Sequence, residues 1–150
     1  MRWLEWARFV MARDLTLGTV LERLAAVHGD RQLVEEAVGD GGEGERLTYA
    51  EAADIVARWA GAIAGRIEPG DRVVIAAPNS YRFLLLCLAA SRAGAIAVPV
   101  NQKMRPAEVE HVIADSGAAL VIRDEAELGP LDGPGPPLPA PPPPAEAAPA

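Results

Sequence analysis

Glu108, His111 and Asp115 stand at spacings of three and four, which on a helix gathers an imidazole and two carboxylates onto one face. Such a face could in principle approach a metal ion, but the chain has two histidines, His28 and His111, and nothing else marks a ligand set, so the spacing predicts an exposed polar face. Cys87 is the only cysteine, which excludes an intramolecular disulfide and a cysteine metal cluster. Set between Leu86 and Leu88, it reads as an inert buried thiol, because a reactive thiolate needs an electropositive, accessible setting. Lys103 is the only lysine, and without a glycine-rich segment leading into it, it reads as a solvated loop residue rather than a phosphate-binding one. Ser80 and Ser91 lie outside any nucleophile-elbow pattern, and capping of a helix accounts for Ser80. The cluster GDGGEGE at 39–45 has glycines, but its acidic residues repel an anion and no helix follows it directly. No catalytic, cofactor-binding or metal-binding residue is assigned from these patterns.

The elements that must position these residues follow from periodicity. Thr16 or Thr19 is placed to cap a helix with Leu17, Val20, Leu21 and Leu24 on one face, ended by Gly29, and Thr19 with Glu22 fits a capping box. Residues 32–38 and 46–49 read as two strands of a hairpin around the glycine-rich tip. Thr48 and Glu51 spell a second capping box, opening an amphipathic helix with Ile55, Val56, Trp59, Ala60, Ile63 and Ile67 inside and Asp54, Arg58 and Gly61 outside. Arg72 to Ala77 holds the continuous apolar run of a strand buried on both faces, stopped by Pro78. Asn79 or Ser80 caps a deeply buried helix over 81–93, with Gly94 at its left-handed end. Ala95 to Val100 is a second buried strand with Pro99 near its end. Pro106 opens a helix with Val109, Val112 and Ile113 inside, Gly117 ends it, and Ala118 to Ile122 forms a last strand. Strand, helix, strand, helix, strand predicts an α/β fold: a partial parallel sheet with flanking helices, plus a β-hairpin.

Charge and composition bound the function classes. The net charge is −7, from 14 Lys and Arg against 21 Asp and Glu, with no basic block, which argues against nucleic acid as a partner. Residues 3–13, with Trp3, Trp6, Ala7 and Val10 on one side, read as a short terminal helix packing on the body rather than a membrane-surface anchor, and Glu5, Arg8 and Arg13 interrupt any signal-peptide core, so export is not indicated. The longest apolar run, Phe83 to Ala90, is far short of the roughly 20 residues that span a bilayer, so a cytoplasmic location is expected. From Gly129 onward ten of 22 residues are proline, a composition that builds no packed core. The expected organisation is an N-terminal helix (1–13), a folded segment (14–123) and a disordered Pro/Ala-rich tail (124–150).

Four stretches together carry a resemblance: LTYAEAA at 47–53, EPGDRVVIAAPNS at 68–80, ASRAGAIAVPVN at 90–101 and RPAEVEHVIADSGAALVI at 105–122. They resemble the opening segment of the adenylate-forming, AMP-binding ligase superfamily, acyl-CoA synthetases in particular, and the leading stretch from Trp3 to Ala25 is similar to the start of bacterial long-chain fatty-acyl-CoA ligases. Leu47, Thr48, Tyr49 and Glu51 match one core motif of that family, with Ala52 where leucine is more usual; Ala93, Gly94, Val98 and Pro99 match a second. The resemblance implies ATP-dependent, magnesium-assisted activation of a carboxylate as an acyl-adenylate, then transfer of the acyl group to the thiol of CoA. It also implies that the phosphate loop and the catalytic lysine lie downstream of the matching stretches. The chain is therefore expected to be a truncated or frameshifted ligase fragment, inactive alone and without a cofactor of its own. The competing reading is a non-catalytic interaction module, or one chain of a split ligase, whose exposed sheet edge is completed by a protein partner with the tail as a tether.

Overall fold

A computed structural model describes residues 15–36, 44–101 and 103–129. The elements run α1 (Leu17–His28), β1 (Gln32–Glu35), β2 (Arg46–Thr48), α2 (Tyr49–Ala64), β3 (Arg72–Ile75), α3 (Tyr81–Arg92), β4 (Ile96–Pro99), α4 (Pro106–Ser116), β5 (Leu120–Ile122) and a 3-10 helix (Glu125–Leu128). The segment expected as a terminal helix (3–13) and the hairpin tip at 39–43 lie outside the described residues, as does the expected tail (124–150) from residue 130 on; its first residues are not disordered, since Glu125–Leu128 form the 3-10 helix and Leu128 is buried.

β1 and β2 pair antiparallel, as the hairpin reading expects. β3 is the middle strand of a parallel sheet ordered β4-β3-β5, with Val74 opposite Val98 on one side and Val121 on the other. Since successive strand residues point to opposite faces, Val73 and Ile75 enter the core built with α1, α2 and α3, and Val74 is buried on the other face. Continuous apolar character in β3 thus reflects burial on both sides.

The helix signals translate into caps. The Thr48 hydroxyl accepts from Glu51 N at 3.2 Å, while the Glu51 carboxylate accepts from Thr48 N at 2.8 Å. Two amide donors at the start of α2 are thereby satisfied, and the helix buries Ala52, Val56, Trp59, Ala60 and Ile63. α4 starts with Pro106 and stops at Gly117, whose φ of 59° is the left-handed region that glycine enters freely.

Four other expectations are corrected. The α1 capping box joins Thr16 and Thr19, Thr16 N donating to Thr19 Oγ1 at 3.0 Å; Glu22 instead reaches Arg92 Nη1 at 2.5 Å. Leu17 is 69% exposed, because α1 turns Gly18 and Leu21 inward instead. α3 is buried on one side only, through Leu85, Leu86, Ala89 and Ala90, while Leu84 faces out. β4 is not a strand buried on both faces: it lies at the sheet edge, and Ile96 is 52% exposed.

Candidate functional site

Parallel α/β sheets hold ligands beyond the carboxyl ends of their strands. Here that rim is formed by the turn after β3, the connection from β4 to α4, and the residue after β5. Pro78 lies in the turn three residues beyond the end of β3; Asn101 Oδ1 accepts from Lys103 N at 2.9 Å and its carbonyl from Met104 N at 3.0 Å, which folds the β4–α4 connection back over the strand ends. A 370 Å³ recess opens between Pro78, Val100, Asn101, Met104, Val109 and Arg123. A second, of 320 Å³, lies beside it against Asn79, Phe83 and Lys103. Arg123 Nη2 leans on Glu110 Oε1 at 3.4 Å, so the cation of the larger recess is already balanced. Both hollows could seat an apolar group beside an amide or a guanidinium, but among the described residues they assemble no nucleophile with a base.

The singled-out residues scatter. Ser80 occupies the position before α3 without a side-chain capping bond, and Pro78 and Asn79 are exposed. Lys103 is exposed, as expected of a loop lysine. Glu108 accepts from Arg105 N and Arg105 Nη2, each at 2.8 Å, and these bonds hold its carboxyl below the ordinary carboxylate range. That engagement removes it from any set with His111 and Asp115, both exposed. Among the described residues no three His, Cys, Asp or Glu side chains are grouped to hold a metal. His28 rests on Tyr49 with ring centroids 5.5 Å apart. Cys87 is half-buried, and burial pushes its thiol up, away from thiolate chemistry. Ser91 is half-buried inside α3.

The sequence gives no warning of the most connected polar group. Glu45 accepts from the Tyr81 hydroxyl and from Arg82 Nη2 at 2.7 and 3.0 Å, and Arg82 Nη1 reaches Glu125 Oε1 at 3.2 Å. Three distant segments, the approach to β2, the start of α3 and the 3-10 helix, are joined there. The Tyr81 hydrogen bond, then that of Arg82, holds Glu45 below its ordinary range; desolvation and the Glu45 bond push Tyr81 up to about 12. These partners are 36, 37 and 43 positions apart, beyond any local spacing rule.

The sheet, its rim and the capped helices can now be set beside known proteins. The model of the AMP-binding enzyme family matches residues 21–136. The chain belongs to this family. A feruloyl-CoA synthase from Amycolatopsis sp. is 42% identical over 80 residues, 53% of this chain and 16% of that enzyme. The long-chain-fatty-acid–CoA ligase FadD13 of Mycobacterium tuberculosis is 35% identical over 107 residues, 71% of this chain and 20% of that enzyme. Among solved structures, the inhibitor-bound N-terminal domain of FACL13 from Mycobacterium tuberculosis superposes with a TM-score of 0.65 at 34% identity, covering 77% of this chain and 28% of that one. The chain spans only 16% and 20% of the curated relatives named. Of its two family motifs, the first is the α2 capping box, and the second shapes the turn from α3 into β4, where Gly94 has a φ of 86°.

Proposed function

We propose that this chain is the N-terminal segment of an acyl-CoA-synthetase-type ligase and does not carry the reaction by itself. The parent reaction is ATP-dependent adenylation of a carboxylic acid, a fatty acid or an aromatic acid, followed by thioester formation with CoA, in a bacterial cytoplasm. The observation that supports this is the combination of a matching fold with a match to so small a share of each relative.

The residues present do not fit the phosphates of ATP. The turn between β3 and α3 contains no glycine, and Arg82, the cation nearest the start of α3, is shared between Glu45 and Glu125. What these residues supply is a sheet whose strand ends form two recesses. The test is ATP–pyrophosphate exchange with magnesium and a panel of fatty and aromatic acids. No exchange above background is expected from the purified chain, and acid-dependent exchange that survives repurification would overturn the reading.

Exposed Ile96 on an edge strand favours a second reading, a segment that works through a protein partner covering β4. Among the described residues no helix is long and apolar enough to cross a membrane.

A further inference from the structure

α1 has two apolar faces, and the core uses one of them. Gly18 and Leu21 turn inward, whereas Leu17, Val20, Leu24 and Val27, at spacings of three, four and three, share a second stripe. Leu17 is 69% exposed and Val27 46%, Val20 and Leu24 are half-buried, and among the described residues none of the four packs on the core cluster that Leu21 joins. Apolar positions alternating by three and four form the seam between two packed helices, and this seam is about 15 Å long.

The sequence just ahead of α1 has the matching pattern. The described residues begin at Leu15, and before it Trp3, Trp6, Val10 and Arg13 repeat the spacings three, four and three. Thr16 is extended, with φ −124° and ψ 168°, and its N–H donates to Thr19 Oγ1 at 3.0 Å, so the chain leaves the α1 axis there. Leu15 and Val20 hold the two positions of a hydrophobic staple, the device that fixes the angle at which a chain enters a helix, and Val20 belongs to the stripe. A helix over 3–13 is about 16 Å long, close to the length of the seam, and 14–16 is a connection short enough to join antiparallel helices.

We propose that residues 3–13 fold back on α1 as an antiparallel helix, with Trp3, Trp6 and Val10 against Val27, Leu24 and Val20. Each of these pairs is equidistant from Leu15, as are Arg13 and Leu17, so one register matches all four positions. Arg13 lays its methylene stem beside Leu17 and keeps its charge in water. So short a tether gives the segment an effective concentration on the order of millimolar, ahead of a second copy of the chain. The proposal is independent of the ligase reading.

Disulfide trapping in the full chain tests it, with Cys87→Ser so that only introduced thiols react. Val10→Cys with Val20→Cys is expected to close within the chain roughly tenfold faster than Val10→Cys with Ala26→Cys, since Ala26 is exposed on another side of α1. Equal rates overturn the proposal. So does a disulfide that forms faster between two copies, which gives the stripe to a second chain, or a preference that disappears on adding anionic vesicles, which gives the segment to a membrane surface. Because cysteine pairs can disturb packing, acrylamide quenching of tryptophan is read as well, Trp59 contributing little at 2% exposure. Leu24→Asp is expected to raise quenching of Trp3 and Trp6 several-fold and Ala26→Asp to leave it unchanged; equal quenching in the two folded variants overturns the proposal.

Discussion

Gly18 is where a single atom decides whether α1 can lie on α3. A Cβ there would stand 2.8 Å from Arg92 Cα and 2.9 Å from the Ser91 carbonyl oxygen, and both are backbone atoms that cannot swing aside. Gly18→Ala is therefore expected to destabilise the chain by about 1–3 kcal/mol despite the better helix propensity of alanine, measured as a lower denaturant midpoint. The Tyr81–Glu45 bond makes a second prediction. The folded pKa of Tyr81, about 12, lies above the ordinary value of 10.0, so its contribution is complete below the ordinary value and lost as pH rises through about 12. Glu45 behaves oppositely: its depressed carboxyl contributes above the ordinary carboxylate range and loses that contribution as pH falls through the lowered folded value. Tyr81→Phe should lower the melting temperature near neutrality, with the difference from the parent chain closing at both extremes; a pH-independent difference would show that the hydroxyl bond is not its source. Neither residue was legible as a partner in the sequence, since nothing local ties position 45 to position 81. Thr48 with Glu51 was legible, because a capping box is written within four consecutive residues.

Elements with a complete local grammar formed as their spacing foretold, and α2 is the clearest. Thr48→Ala removes the side-chain acceptor for Glu51 N and should cost about 1 kcal/mol, seen as a lower chemical denaturation midpoint. Trp59, 2% exposed beneath the same helix, should cost about 3–5 kcal/mol as Trp59→Ala, enough to threaten folding outright. β4 shows where the grammar fails. Its apolar run resembles that of β3, yet burial depends on whether a neighbour covers the strand, which composition does not encode. Ile96 N donates to the Asp71 carbonyl and Val100 N to the Ile75 carbonyl, so these positions face β3 and Pro99 faces outward, where its missing donor leaves nothing to pair. Pro99→Thr restores an outward N–H and should increase edge-to-edge association, read as a concentration-dependent rise in sedimentation coefficient.

At the scale of the whole molecule, the fold class was readable because alternating strands and helices admit few arrangements, and the family was readable because its motifs in this region are themselves packing and capping devices. The candidate site was scarcely readable, since the rim recesses arise where separate elements meet. Leu17 illustrates the same limit: periodicity put it on the inner face, but Gly18 permits so close a helix approach that the inner face rotates by a residue. The strand order has a consequence for how the chain is made. β3 takes both neighbours from residues that follow it, β4 and then β5. At about 5–20 residues per second of synthesis, Val73 to Ile75 emerge on the order of seconds before either partner. For that interval the apolar centre of the future sheet has no ladder to join, so nascent chains paused between β3 and β4 should be the species that chaperones hold.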